Sequence, residues 1–244
     1  MVTCLSKNYV IENFDALLIT DIQLDFLPGG ALPIEGGEEI IPVINDYIKH
    51  FTAGKAHIIA SRDWHSPNHI SFRAQGGLWP PHCVQQTLGA KFSPDLNLPK
   101  DVVIISKATN PEIEAYSAFD GTNLTHELRA CNVKRLFICG LATDYCVLNS
   151  VLDACKLGFE TVVLMDATLG INVNPGDVDR AIDTMLKNGA QQATAENFPN
   201  DIDALPIEET SPDSLAEKPS QKAEVKKKAR MRSKGSAKRI RTER

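Results

Sequence analysis

Short, continuously apolar runs recur along most of this chain, and between them apolar residues fall at helical spacing. Ala16-Leu17-Leu18-Ile19-Thr20 runs into Asp21, and Val102-Val103-Ile104-Ile105-Ser106 runs into Lys107. His57-Ile58-Ile59-Ala60-Ser61-Arg62, Arg135-Leu136-Phe137-Ile138-Cys139 and Thr161-Val162-Val163-Leu164-Met165 are built the same way. Unbroken apolar runs of this length, rather than alternation, mark strands buried on both faces. Ile40, Ile41, Ile44, Tyr47, Ile48 and Phe51 share one helical face, and Pro42 is tolerable in a first turn. Leu124 to Ala130 reads as a second helix. Val147, Leu148, Val151, Leu152 and Cys155 stripe a third, with Gly158 as its C′ residue, and Val178 to Lys187 reads as a fourth. Strands alternating with amphipathic helices predict an α/β fold, a parallel sheet with helices on both faces. Such sheets bind ligands beyond the carboxyl ends of their strands. Asp21, Asp63, Lys107 and Cys146 are therefore expected to meet in one crevice.

Composition bounds what this pattern can build. With 244 residues, 43% of them hydrophobic, the chain can bury one sizeable core. The net charge of -5 hides a split: Lys218 to Arg244 holds 12 Lys or Arg and 2 Glu, a net of +10, so residues 1–217 carry -15. Beyond about Asn200 the chain is rich in Pro, Ser, Glu and Lys and poor in aromatics, a composition that cannot bury enough surface to order itself. The expected organisation is one domain over residues 1–200 and a disordered tail over 201–244, acidic and then basic. Lys226-Lys227-Lys228 and Lys238-Arg239-Ile240-Arg241 suit a nuclear import signal or a nucleic-acid contact, and a merely solubilising tail is the third reading. The first 13 residues show no basic cluster followed by an apolar stretch, and no apolar run nears the roughly 20 residues that span a bilayer. The six cysteines show no zinc-finger pairing, and several fall within apolar patterns as core thiols do. A reducing, cytoplasmic location is expected, with the nucleus added if the tail is an import signal. The sequence leaves room for a homo-oligomer without specifying one.

Candidate chemistry gathers at two places. Cys146 ends Gly140-Leu141-Ala142-Thr143-Asp144-Tyr145-Cys146, between an apolar run and a helical stripe. At a helix start, the macrodipole would favour its thiolate. Asp21 is then a candidate base and Lys107 a fixed cation. The connection between the second and third runs is far longer than an ordinary loop, as functional loops are. It holds Asp63-Trp64-His65-Ser66-Pro67-Asn68-His69 and Leu78-Trp79-Pro80-Pro81-His82-Cys83, and with them three of the six histidines. On an extended segment Asp63 and His65 point to one face. A carboxylate with imidazoles suits zinc, iron or manganese, with positions left for water or substrate.

These residues resemble the nicotinamidases, members of the isochorismatase-like cysteine hydrolases. The likeness is carried by Asp21-Ile22-Gln23-Leu24-Asp25-Phe26 with Gly29-Gly30-Ala31-Leu32, by Arg62-Asp63-Trp64-His65 and by Trp79-Pro80-Pro81-His82-Cys83. Ser106-Lys107 and the segment ending in Cys146 complete it, in one consistent order from about Asp15 to Ala193. The resemblance implies an isochorismatase-like three-layer fold and hydrolysis of nicotinamide to nicotinate and ammonia in NAD salvage. It implies Cys146 as nucleophile, Asp21 as base and then acid, and Lys107 as the cation that holds Asp21 ionised and helps stabilise the thiolate, lowering both pKa values. Backbone N–H groups of Ala142 and Cys146 would form the oxyanion hole, beside a cis peptide between Leu141 and Ala142. Asp63, His65 and His82 would hold one divalent metal, zinc before iron or manganese, which engages the pyridine nitrogen. His69 lines the pocket or meets the metal through water, and Phe26 and Trp79 would flank the ring. Pyrazinamide is implied as a further substrate. Cys83 is assigned no chemistry. A different amide hydrolase of the same superfamily, or a nucleic-acid-associated protein using its tail, are the rival readings.

Overall fold

A computed structural model describes residues 7–199. The expectations for residues 201–244 lie outside the described residues. Six strands form one parallel sheet: β1 (Asp15–Thr20), β2 (His57–Asp63), β3 (Val103–Lys107), β4 (Arg135–Leu141), β5 (Glu160–Leu169) and β6 (Gln191–Ala193), in the spatial order β3-β2-β1-β4-β5-β6. Four helices connect them: α1 (Ile40–Ala53), α2 (Leu124–Ala130), α3 (Leu148–Lys156) and α4 (Asp177–Lys187). Successive residues of a strand face opposite sides, so β1 feeds two cores. Leu17 and Ile19 join Ile44, Tyr47, Ile48 and Phe51 of α1 on one face. Ala16 and Leu18 join Leu124 and Leu128 of α2, Val151 of α3 and Met185 of α4 on the other. That is the three-layer arrangement the continuous apolar runs predict.

The chain order reverses direction across the sheet between β1 and β4, where helices leave to opposite faces and a crevice opens at the strand ends. The register there is pinned from below. Arg135 grips the fully buried Asp15 through Nε (2.9 Å) and Nη2 (2.7 Å), a two-bond pairing that locks β4 against β1.

Three boundaries differ from the sequence reading. β4 extends to Leu141, and a π-type turn (Thr143–Val147) intervenes before α3, so Cys146 lies inside that turn rather than at the first turn of an α-helix. β5 continues past Met165 to Leu169, because its register breaks: Ile138 pairs with Val163, yet Gly140 pairs with Thr168. The short edge strand β6 has no apolar run; it pairs beside β5 through backbone bonds, a Gln191–Glu160 side-chain bond (3.3 Å) and the buried Ala193. Gly158 does take the left-handed conformation (φ 86) just beyond α3, as a C′ glycine should.

Candidate active site

Four neighbouring strands deliver four side chains to one crevice. Lys107 ends β3, Asp63 ends β2, Asp21 follows β1 and Cys146 follows β4. Lys107 is 1% exposed and stands at the centre. Its Nζ pairs with Asp63 Oδ1, lies 3.0 Å from Asp21 Oδ2 and 3.2 Å from Cys146 Sγ. One carboxylate oxygen of Asp21, one of Asp63 and the Cys146 sulfur all lie within 4.8 Å of one another. Asp21 is held on one side only: Ser61 Oγ donates to Oδ1 at 2.7 Å. Its Oδ2 is close enough to Lys107 for an ion pair but lies off the line of a hydrogen bond, so this buried oxygen is left free to accept one.

Burial and pairing push the two carboxylates apart. Burial raises Asp21, against the pull of Lys107 and Ser61, and Asp63 raises it further. Asp63 feels the same burial, but Lys107, His65 and His82 outweigh it and hold that carboxyl below its usual range. Burial alone would lower the Lys107 ammonium, yet Asp21, Asp63 and Cys146 keep it well above the ordinary lysine value. Burial also raises the Cys146 thiol well above its usual range, despite Lys107. Lys107 does pull both pKa values down, as expected, but desolvation is the larger effect and leaves both groups above their usual values. The resting cluster is a thiol beside an ionised Asp63, a charged Lys107 and a carboxyl whose proton affinity is raised. Carboxylates split in this way suit a division of labour in which one exchanges a proton and the other stays an anion.

The long connection brings the imidazoles to the same place. His82 Nε2 lies 3.8 Å from Asp63 Oδ2, and one ligand atom each of Asp63, His65 and His82 falls within 4.8 Å of the others. His65 Nδ1 is 3.1 Å from the His82 carbonyl oxygen and His82 Nδ1 is 2.8 Å from that of Pro80. A carbonyl only accepts, so each Nδ1 carries a proton, which leaves Nε2 as the nitrogen that a metal would take. Burial lowers the His65 pKa to about 4, which keeps this ring neutral. The neutral His65 ring and the Nε2 of His82 beside an ionised carboxylate fit a divalent metal ion. His69 is placed differently. Its Nδ1 meets Ser71 Oγ at 2.8 Å and its Nε2 meets the Ile113 carbonyl oxygen at 3.2 Å, so both nitrogens are engaged while its ring packs 4.4 Å from that of His65.

Aromatic rings line the remainder. Phe26 tilts against His82 at 5.5 Å. Trp79 meets the edge of Tyr145 at 5.1 Å, and its indole N–H donates to Tyr116 Oη at 3.0 Å. Phe72, packed against His65 and His82, and the Tyr116–Tyr145 pair beside Trp79 are neighbours that the sequence reading did not pick out. Two polar anchors were also missed. The Gln23 amide brackets Asp63, accepting its N–H (2.7 Å) and donating to its carbonyl (2.8 Å). Asp25 accepts the Cys83 N–H at 2.7 Å, and a Cβ on Gly89 would stand 2.1 Å from that carboxylate. Both lie in the Asp21–Phe26 block, where carboxylate and amide at two-residue spacing was the available signal. Buried Cys83 contributes its backbone here, and burial raises its thiol pKa. The peptide between Leu141 and Ala142 is cis, directly before the turn that carries Cys146.

Residues 15–197 match the isochorismatase domain. The chain belongs to that family. Among its relatives, the Escherichia coli (strain K12) nicotinamidase is 37% identical over 204 residues, covering 75% of this chain and 96% of that protein. A pyrazinamidase of Pyrococcus horikoshii, solved in complex with zinc, shares 53% identity with a TM-score of 0.71, over 74% of this chain and 98% of that one. An L. infantum protein solved with nicotinate shares 32% identity with a TM-score of 0.73, over 78% and 98%. Within an isochorismatase-family fold, the crevice at the β1–β4 reversal is where Cys146, Asp21, Lys107 and the Asp63 trio converge. No helix among the described residues is long and apolar enough to cross a membrane.

Proposed function

We propose that this chain is a metal-dependent nicotinamidase, hydrolysing nicotinamide to nicotinate and ammonia through a cysteine thioester, in NAD salvage. The observation that carries this reading is the juxtaposition of Cys146 Sγ, Asp21 and Lys107 with Asp63, His65 and His82 in one buried crevice. Nicotinamidases and a nicotinate-bound structure among its relatives support the same substrate.

An amide carbon is a weak electrophile, and ammonia leaves only when the nitrogen is protonated, so the site must supply a thiolate and then a proton. Cys146 Sγ attacks the carboxamide carbon as its proton passes to the free Oδ2 of Asp21. Before transfer the cluster holds two carboxylates and one ammonium; afterwards it holds one carboxylate, one thiolate and one ammonium. Both states carry a net charge of one negative, so the step creates no new charge in a buried site. The carbonyl oxygen takes the displaced electron pair, and the backbone N–H groups of Ala142 and Cys146 are the donors we assign to it. Asp21 returns the proton to nitrogen, the C–N bond breaks and ammonia leaves a nicotinoyl thioester on Cys146. A water loses a proton to Asp21 and attacks the thioester; the C–S bond breaks, the thiol regains that proton from Asp21, and the acid formed gives its remaining proton to solvent and departs as nicotinate. Lys107 stays charged throughout.

Asp63, His65 and His82 would hold the metal, for which we assign zinc. When bound, that ion supplies a Lewis acid for the pyridine nitrogen. Phe26 and Trp79 would border the ring and limit its rotation. Pyrazinamide keeps the ring nitrogen and the carboxamide, so it should be a second substrate. The test is ammonia release from nicotinamide by the purified full chain, loaded with zinc and then stripped by a chelator. Release that falls on stripping and returns with zinc is expected; no release from the loaded chain would overturn the assignment.

A further inference from the structure

The turn carrying Cys146 is bonded within itself and to the start of α3: the N–H groups of Tyr145 and Val147 both donate to the Ala142 carbonyl at 3.1 Å, the Leu148 N–H reaches back to the Thr143 and Tyr145 carbonyls, and Asn149 Nδ2 donates to the Tyr145 carbonyl at 2.8 Å. A second set of ties reaches it from the far end of β5 and the connection beyond it. Thr168 Oγ1 donates to the Gly140 carbonyl at 2.8 Å and lies 2.9 Å from Thr143 Oγ1. Asp144 reaches further: Oδ1 accepts the Ile171 N–H at 2.9 Å and Oδ2 accepts the Asn172 N–H at 2.7 Å. The approach is tight, since a Cβ on Gly170 would stand 2.9 Å from Asp144 Oδ1 and 2.3 Å from Val178. Asn172, in the left-handed region (φ 55), carries the link onward, its Oδ1 accepting the Asp177 N–H at the start of α4 at 2.9 Å.

The register break in β5 makes this strap reachable, because it brings Thr168 and Leu169 beside Gly140 and Leu141. Both Asp144 oxygens are thereby occupied by backbone donors, and neither is spent on the thiol cluster. Two residues along, Cys146 Sγ sits 3.2 Å from Lys107; one residue along, the Tyr145 ring forms a wall against Trp79. An ionised carboxylate taking one N–H on each oxygen is a strong, directional tie, and asparagine could reproduce only half of it.

We propose that Asp144 is a positioning residue for the nucleophile: by bonding the Ile171 and Asn172 N–H groups it holds the thiol turn in the orientation that sets Cys146 Sγ against Asp21 and Lys107. The inference rests on the reading of Cys146 as the nucleophile. Asp144 is two residues from the sulfur in sequence, and Asp63, His65, His82 and Phe26 come from other segments. Its loss should therefore act chiefly on turnover and leave metal content alone, with only the smaller change in ring binding that Tyr145 passes to Trp79.

The test compares the full chain with Asp144→Ala and Asp144→Asn. For each, the rate of Cys146 alkylation by iodoacetamide is mapped by peptide mass, and kcat, KM and metal content are measured with nicotinamide. Alkylation at Cys146 should slow and kcat should fall in Asp144→Ala, by on the order of 100-fold as reacting groups move out of line. Asp144→Asn should fall less, with metal content unchanged in both and KM changed far less than kcat. A purely structural role would lower the melting temperature and the yield of folded chain while leaving kcat per folded molecule intact. A folded variant whose Cys146 alkylation is unchanged or faster, or whose kcat is unchanged, overturns the proposal. If Asp144→Ala does not fold, Asp144→Asn decides by the same readings. Should the unmutated chain release no ammonia from nicotinamide, the substrate reading fails, and the alkylation arm still judges Asp144.

Discussion

Asp21, Lys107 and Cys146 hang from the ends of neighbouring or next-neighbouring strands, whereas His65 and His82 sit on the long connection between β2 and β3. The first group is placed mainly by sheet register, which Arg135 and Asp15 pin from below and the two cores clamp on either face, with the Cys146 turn tied in addition by Asp144 to the Ile171 and Asn172 N–H groups. The second is placed by polar ties: the Cys83 carbonyl accepting the His65 N–H, Asp25 accepting the Cys83 N–H, and Gln23 bracketing Asp63. Asp63 belongs to both, pairing with Lys107 on one side and His82 on the other. The nucleophile half is thus built into the core, and the metal half is laced on by a few hydrogen bonds. Damage to each should read out differently.

The largest effect is expected where the core-built half loses its reactive atom. Cys146→Ala should cost on the order of 10⁴-fold or more in kcat while metal content and melting temperature stay put. Retained turnover would mean that the chemistry lies elsewhere. Lys107→Met should remove turnover and also stability, since it leaves Asp21 and Asp63 facing each other without their cation. Breaking a buried ionic group in this way typically costs about 3–5 kcal/mol, measurable by denaturant unfolding. The laced half should respond in metal affinity first. Gln23→Ala should weaken zinc binding by about 10–100-fold, read by chelator competition, and kcat at saturating zinc should change less. If Gln23→Ala instead lowered kcat and spared zinc affinity, the division between the halves would be wrong.

The same contrast explains what could be read from the chain. Strand ends were legible because continuous apolar runs declare where a buried strand stops, and each stop was marked by a charged residue or a turn. The convergence of Asp21, Asp63, Lys107 and Cys146 follows from those stops and parallel topology alone. The ties of the long connection were not legible. Gln23 and Asp25 act through backbone groups distant in sequence, such as the Cys83 N–H, and no periodicity announces such a partner. The π-type turn before α3 was hidden because Val147, Leu148 and Val151 keep helical spacing through it. The far end of β5 was hidden because Asp166 interrupts its apolar run. That carboxylate is taken up by Tyr47 Oη at 2.8 Å and the Ala195 N–H at 2.8 Å, which makes a polar residue affordable inside the strand.

The direction of the Cys146 shift was also out of reach, because residue types name a cation nearby but not the depth at which it is buried. A buried thiol that stays protonated until Asp21 takes the proton keeps the nucleophile unreactive until substrate is aligned.

The central claim is that this thiol, driven by Asp21 and Lys107, attacks the amide. Rapid quenching of the zinc-loaded chain during turnover of nicotinamide, followed by peptide mass mapping, tests it most directly. The account predicts a nicotinoyl adduct confined to Cys146 that appears with the first ammonia and vanishes on Cys146→Ala. Ammonia released at full rate by a chain in which Cys146 never carries an acyl group would contradict it.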